Sequence, residues 1–476
     1  MSSVNIAPDL STVFAGKIHS PNPFWLASAP PTNCGEQVMR AFDAGWGGAV
    51  WKTIGEPIVN VSSRYSSVDW NGQRMMGLNN IELITDRPLD VNLREISEVK
   101  KRYPRNAVIA SLMVESTREA WHTIVQQAED AGADGLELNF GCPHGMSERG
   151  MGSAVGQVPD YAEMITTWAK EKARTPVLIK LTPNITDIRS IARAAKRGGA
   201  DGLSAINTLN SITGIDLDTF VPRPNVDGKS SHGGYCGPAV KPIALHMIQQ
   251  IQGDPESSLP LSGIGGISDW RDAAEFFLLG CTSVQVCTAV MHYGYRIVEE
   301  MADGLANWMR EKGFARISDF QGLTLPRVQE WKHLNLNYKI IAHIHEAKCI
   351  GCELCYTACW DGAHQCIHLD RVPYPAKSHA VGHATPAMHE LASKHKITVT
   401  PIPKLDHTSS GNGHEPYATP LARIPRVDEL ECVGCNLCAL VCPVEHCITM
   451  EEVDTHLPPE SWEQRTAGKS SERRAG

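Results

Sequence analysis

Eight cysteines near the end of this chain are spaced for metal chemistry: Cys349, Cys352, Cys355 and Cys359, then Cys432, Cys435, Cys438 and Cys442. Each run reads C-x2-C-x2-C-x3-C. Three closely spaced thiolates can wrap three corners of a cubane, and the fourth cysteine of each run reaches the other cubane. The spacing therefore predicts two [4Fe-4S] clusters, one on Cys349, Cys352, Cys355 and Cys442, the other on Cys432, Cys435, Cys438 and Cys359. Structural zinc usually takes paired C-x2-C knuckles, and two complete runs fit that pattern, or a disulfide framework, poorly. Such a chain moves single electrons. Cys366 and Cys447 lie outside the runs and are expected to pack. The first run ends Cys359-Trp360 where the second ends Cys442-Pro443, with ligand spacing intact.

A second set of reactive residues comes earlier. Cys142 follows the strand-like run 135–140 on a glycine-punctuated loop, Asn139-Phe-Gly-Cys-Pro-His144-Gly-Met-Ser-Glu148-Arg-Gly150-Met-Gly152. Such a loop can close over a substrate and exclude water, although an ordinary small residue in a turn is the plain alternative. A thiol near the ordinary pKa of about 8.5 is mostly protonated at neutral pH. Cys142 therefore reads as a proton donor rather than a standing nucleophile. Ser28, Lys52, Asn139, Lys180, Asn207 and Thr288 each fall at or near the C-terminal end of an apolar run.

Positioning these residues requires a repeated scaffold. Apolar runs at Phe24–Ala29, Gly48–Thr53, Ala107–Met113, Gly135–Phe140, Val177–Leu181, Gly202–Asn207, Leu259–Gly266 and Ser283–Ala289 alternate with helical stretches. Alternation predicts a parallel sheet, and eight repeats predict a closed (β/α)8 barrel whose mouth collects the C-terminal strand ends. The phrases AGWGG, AGADG, GGADG and LGCTS read as helix-to-strand turns. The expected fold class is thus a TIM barrel over 1–315, a linker over 316–340 and a two-cluster ferredoxin-like α+β domain over 341–457. A Pro/His-rich insertion is expected at 371–425 and a polar tail at 458–476. His379, His383, His389, His395, His407 and His414 are irregularly spaced between helix-breaking prolines, so the insertion reads as solvated rather than metal-binding.

Length (476 residues) suggests two or three domains. The net charge of −9 argues against nucleic acid as a partner, and no apolar run approaches a membrane span. The N-terminus lacks a signal-peptide pattern. Iron–sulfur ligands and unpaired thiols point to a reducing, cytoplasmic location.

The segment LNFGCPHGMSERGMGSAVGQ, with NNIELI (79–84), KLTPNITDI (180–188), INTLNSITG (206–214) and SGIGGI (262–267), resembles the dihydropyrimidine dehydrogenases, in particular the catalytic subunit of the bacterial two-subunit type. The barrel is more distantly similar to dihydroorotate dehydrogenases. The resemblance implies an FMN site in which Ser28, Lys52, Thr53 and Lys180 meet the flavin and Gly265, Gly266, Cys287 and Thr288 hold its phosphate. It assigns Asn80, Glu82, Asn139, Asn207 and Thr208 to the pyrimidine, whose edge alternates acceptors and donors as a carboxamide does. It implies reversible reduction of the 5,6 double bond of uracil or thymine, with hydride from FMN to C6 and a proton from Cys142 to C5.

No strand-GxGxxG-helix fingerprint is evident, so NAD(P)H is expected on a separate FAD/NAD-binding reductase subunit. The resemblance further implies a homodimer within a hetero-oligomer. Two rival readings remain: a dihydroorotate-type flavin dehydrogenase, and an electron-transfer subunit whose barrel no longer catalyses.

Overall fold

In a computed structural model of the chain, residues 8–56, 58–70, 72–143, 145–373 and 421–472 are described. The chain divides into two compact units, Met1–Val328 and Gln329–Gly476. Among the described residues no helix is long and apolar enough to cross a membrane.

The first unit is a closed parallel barrel. Its strands are β1 (Phe24–Leu26), β2 (Gly48–Val50), β3 (Ala107–Leu112), β4 (Gly135–Asn139), β5 (Val177–Lys180), β6 (Gly202–Ala205), β7 (Leu261–Ile264) and β8 (Ser283–Val286). They pair in chain order, and β8 closes on β1. The expected eightfold repeat is what forms, although each ladder ends before the sequence run does.

Four glycines turn helix into strand. Gly45, Gly132, Gly199 and Gly280 adopt φ of +110°, +95°, +89° and +99°, a region that side chains with a Cβ disfavour. In two of these turns the following aspartate ties the barrel together. Asp134 accepts the Val108 N–H at 2.9 Å and pairs with Lys100, and Asp201 accepts the Val177 N–H at 2.8 Å and pairs with Lys170.

A hairpin of Thr12–Phe14 with Ile18–Ser20 closes the N-terminal end. Phe14 and Ile18 pack there with Trp25, Val50, Ala107, Ile109 and Leu178. A Cβ on Gly202 would lie 2.5 Å from Phe14 and one on Gly135 2.7 Å from Ile18, so the plug depends on two glycines that open strands.

The segment expected as a linker, 316–340, is divided between the units. Ile317 and Phe320 are buried in the barrel's apolar core, which carries the first unit on to Val328. Lys339 already opens a strand of the second unit. There β9 (Lys339–Ile344) pairs antiparallel with β12 (Ile448–Val453), and β10 (Ile367–Pro373) with β11 (Leu421–Val427). Helices Leu354–Gly362 and Leu437–Val441 begin inside the cysteine runs, two residues after the second cysteine of each, and carry Cys355, Cys359 and Cys438. The ends of the expected insertion, 371–373 and 421–425, are therefore paired strand. The remainder, with its six histidines, lies outside the described residues. The expected polar tail contains a helix, Trp462–Glu472.

Candidate functional site

A cleft of about 1170 Å3 opens where the strand tips converge. It is lined by Ser28, Lys52, Thr53, Asn80, Glu82, Asn139, Cys142, Lys180, Asn207, Thr208, Gly265, Gly266, Cys287 and Thr288, the full set singled out in the barrel. Asn139 and Lys180 end β4 and β5 opposite one another, and Lys180 pairs in turn with Ser204 of β6. Asn80 ends a strand outside the barrel and Thr288 opens a helix, while the others sit past the last paired residue of a strand or arrive from loops.

The floor is charged and buried. Glu137 of β4 is fully buried, and its Oε2 accepts from Ser204 Oγ at 2.7 Å and Gln285 Nε2 at 3.0 Å. Its other oxygen lies 3.6 Å from Lys180 Nζ. Two ions taken out of water must compensate each other, because an uncompensated buried charge costs several kcal/mol. Glu137 is therefore the counter-charge beside Lys180.

Lys52 is held the same way. Its Nζ lies 2.7 Å from Glu82 Oε1, which also accepts from Arg64 at 2.8 Å, while Tyr65 donates to Glu82 Oε2. Burial alone would raise the Glu82 pKa, but Lys52, Tyr65 and Arg64 together hold it below the usual carboxylate range. Burial and the neighbouring carboxylate push the Tyr65 phenol well up, so it remains a donor. Glu82 thus lines the cleft while already serving three partners.

The carboxamides form an oriented chain. Ser28 Oγ meets Thr53 Oγ1 at 3.2 Å, and Asn139 Nδ2 donates to Thr53 Oγ1 at 3.0 Å. Asn207 Nδ2 donates to Asn139 Oδ1 at 3.0 Å, and Asn207 Oδ1 accepts the Thr208 N–H at 2.8 Å. Gly141 allows this approach, since a Cβ there would run into Asn207. Cys142 follows, buried in the wall beside Ile84, Met146 and Met151. Its carbonyl accepts the Ser153 N–H at 3.0 Å, and Gly152, at φ +57°, would put a Cβ 2.8 Å from that oxygen. The loop folds back tightly on the thiol.

The opposite end of the cleft is a backbone cradle. Gly237, Gly265 and Gly266 have φ of +98°, +130° and +75°. A Cβ on Gly266 would lie 2.8 Å from Lys241 N and 2.9 Å from Gly237 O. The helix Lys241–Gln252 starts here, and backbone N–H groups at a helix start suit an anion. Thr288 donates to Cys236 Sγ at 3.3 Å, and burial pushes the Cys236 and Cys287 thiols up.

Sequence reasoning missed Glu137, Gln285, Tyr65, Tyr235, Cys236 and Gly237. A lone acid two residues before Asn139 was a legible signal, because alternate residues of a strand share a face. Tyr65, Asn80, Tyr235 and Cys236 belong to an added sheet, formed by Tyr65–Trp70, Gln73–Asn80, Gly233–Cys236 and Leu209–Ser211, which no repeat announces.

The second unit holds two cavities of about 320 and 330 Å3. One is lined by Cys359, Cys432, Cys435 and Cys438, the other by Cys349, Cys352, Cys355 and Cys442. Each thus gathers three thiols of one run and the fourth of the other, as the spacing requires. Gly351 and Gly434 (φ +67° and +69°) and Glu353 and Asn436 (φ +60° and +68°) shape the two runs alike.

A family model described as dihydroorotate dehydrogenase matches residues 10–309, and one described as 4Fe-4S binding domain matches 425–445. The chain is 45% identical over 364 residues to the NAD-dependent dihydropyrimidine dehydrogenase subunit PreA of Escherichia coli, covering 76% of this chain and 88% of the relative. The chain belongs to the dihydropyrimidine dehydrogenase family. A chloroplastic dihydropyrimidine dehydrogenase (NADP(+)) of Arabidopsis thaliana is 43% identical, over 68% of this chain and 79% of its own length. The catalytic subunit of dihydroorotate dehydrogenase B (NAD(+)) of Pyrococcus horikoshii is 36% identical, over 64% and 94%.

Like its family, the chain is an oxidoreductase with FMN and iron–sulfur cofactors. The barrel fits the flavin chemically. The cleft couples a glycine cradle for a phosphate to a polar floor, where Gln285 Oε1 is buried without a hydrogen-bond partner among the described residues. The second unit fits cubanes through its two four-thiol cavities.

Proposed function

We propose that this dihydropyrimidine dehydrogenase family member reversibly reduces the 5,6 double bond of uracil or thymine with electrons originating from NAD(P)H. The observation that carries the reading is the chain of oriented carboxamides, Asn139 to Asn207, in one cleft with Cys142 and Lys180. Alternating amide donors and acceptors match the edge of a pyrimidinedione. Bound FMN supplies the hydride at C6.

The chain's own residues do the rest. Asn80, Asn139, Asn207 and Thr208 hold the ring, and Lys180, paired with Glu137, favours negative charge developing above the floor. Lys52, Thr53 and Ser28 line the flavin's side. Gly265, Gly266, Cys287 and Thr288 hold its phosphate, with Gly237 completing the cradle. Glu82 fixes Lys52. Cys142 gives its proton to C5 from the face opposite the hydride, a contribution of about 100- to 10,000-fold for positioned acid catalysis.

Cys349, Cys352, Cys355 and Cys442, with Cys359, Cys432, Cys435 and Cys438, would hold two [4Fe-4S] clusters, which would supply single electrons taken from an FAD- and NAD-binding reductase subunit that docks with a homodimer of this chain in the cytoplasm. The Escherichia coli relative's name as a subunit of an NAD-dependent enzyme supports that partner.

A dihydroorotate-type activity is the second reading, favoured by the Pyrococcus relative. Against it, the lysines lining the cleft, Lys52 and Lys180, are both paired with carboxylates, and among the described residues no arginine lines it. The test is anaerobic purification with the reductase partner, followed by flavin and iron analysis and parallel assays on uracil, thymine and orotate. Reduction of uracil or thymine is expected; turnover of orotate alone would overturn the reading.

A further inference from the structure

Each cluster cavity contains a fifth thiol. Cys366 lines the cavity of Cys359, Cys432, Cys435 and Cys438, and Cys447 lines that of Cys349, Cys352, Cys355 and Cys442. Both are buried, at 5% and 2% exposed. Their placement follows one local pattern. Gln365 and His446, the residues immediately before them, both adopt the left-handed region, with φ of +60° and +54°. Cys366 contacts Cys359, the last ligand of its own run, and shares its cavity with Cys432, the first ligand of the other. Cys447 lines one cavity with Cys442 and Cys349, the corresponding pair.

Packing alone does not require this. An alanine would fill a small apolar position at a cavity edge without bringing a donor. Once a cubane is held, the ligand sulfurs are thiolates and only accept, so a neutral fifth thiol beside them must be the donor. The geometry is already formed at Cys366, whose Sγ lies 3.5 Å from Cys359 Sγ while its backbone N–H donates to the same sulfur at 3.3 Å. Cys359 therefore takes two donors from one residue. Cys447 is also within reach of a carbonyl, His345 O, at 3.8 Å. Hydrogen bonds to cluster sulfurs stabilise the more negative, reduced cluster and so raise its potential.

We propose that Cys366 and Cys447 are non-ligating hydrogen-bond donors to the cluster sulfurs, each setting the reduction potential of the cubane in its own cavity. They are positioning residues, because they act through the ligands. The inference rests on the two-cluster reading above. Since Cys447 can also turn to His345, Cys366 carries the larger effect.

The test uses the full chain, purified anaerobically, as wild type and as Cys366→Ala, Cys366→Ser, Cys447→Ala and Cys447→Ser. Iron and sulfide content are measured first, then each cluster's midpoint by redox titration followed by electron paramagnetic resonance. Each alanine variant is expected to keep its iron and move one midpoint to more negative potential, changing the oxidised-to-reduced ratio about tenfold, or about 59 mV for one electron. The serine variants, which keep a donor, return towards wild type. Unmoved midpoints at full iron content, or equal shifts for alanine and serine, would overturn the proposal. Loss of iron from an alanine variant would also overturn it, by making the thiol a ligand or a structural support. Wild-type protein without iron and sulfide would instead sink the cluster reading itself.

Discussion

Cys142 and Glu82 show how one cleft assigns different work to neighbouring groups. Cys142 → Ala removes a proton donor held in a tight loop but touches neither the glycine cradle nor the lysines. Pyrimidine reduction should fall about 100- to 10,000-fold, while the flavin absorbance per chain stays at the wild-type level; near-normal turnover would take Cys142 out of the reaction. Glu82 acts on Lys52 rather than on the chemistry. Its folded pKa lies below the unfolded value of about 4.3. The stability it contributes is complete above that value and is lost as pH falls through the lower folded one. Glu82→Gln leaves a buried ammonium without its counter-charge and should destabilise the barrel by roughly 3 kcal/mol at neutral pH. Urea melts followed by tryptophan fluorescence should show that gap narrowing below about pH 4. A gap independent of pH would mean the pair is not the source.

The strands and loops explain what the sequence made legible and what it did not. Strand existence was readable because β1 to β8 are apolar runs separated by glycine turns, and the polar residues at their ends converge once the barrel closes. Strand ends were not. Lys52 and Asn207 continue the apolar run but lie past the last paired residue, where the chain bends into the mouth. The added sheet carrying Tyr65 and Tyr235 was invisible for a different reason: Gln73–Asn80 pairs with Gly233–Cys236, a contact between residues far apart in the chain. The glycine cradle was legible as SGIGGI, but its third wall, Gly237, comes from that same distant segment. The cradle's tightness is testable. With φ at +75° and backbone atoms of Gly237 and Lys241 within 3 Å of any added carbon, Gly266→Ala must move the loop. Flavin retained per chain after gel filtration should drop severalfold while the circular dichroism stays that of a folded barrel; full flavin occupancy would remove Gly266 from the phosphate site.

The two units differ in what holds them together, and that difference predicts how the molecule fails. The barrel buries a continuous apolar core drawn from every strand and most helices, so it has no need of a cofactor to fold. The second unit buries Ala342, Ile344, Ile367 and Ile448, and the rest of its cluster is Cys355, Cys359, Cys366, Cys432 and Cys438. Among the described residues these four side chains, with the partly buried Ile341, Tyr356, Val427, Ala439 and Met450 against them, make too small an apolar core to offset the conformational entropy of ordering such a unit. Its stability must therefore come from metal–thiolate bonds, which turn cluster binding energy into folding energy. Removing the iron anaerobically with a chelator should strip hydrogen-exchange protection from Lys339–Ile344 and Ile448–Val453. The amides of Ala107–Leu112 and Val177–Lys180 should remain protected in the same sample. Unchanged protection in β9 and β12 after complete iron loss would show that the second unit folds on its apolar contacts alone, and the cluster cavities would then be a consequence of the fold rather than its cause.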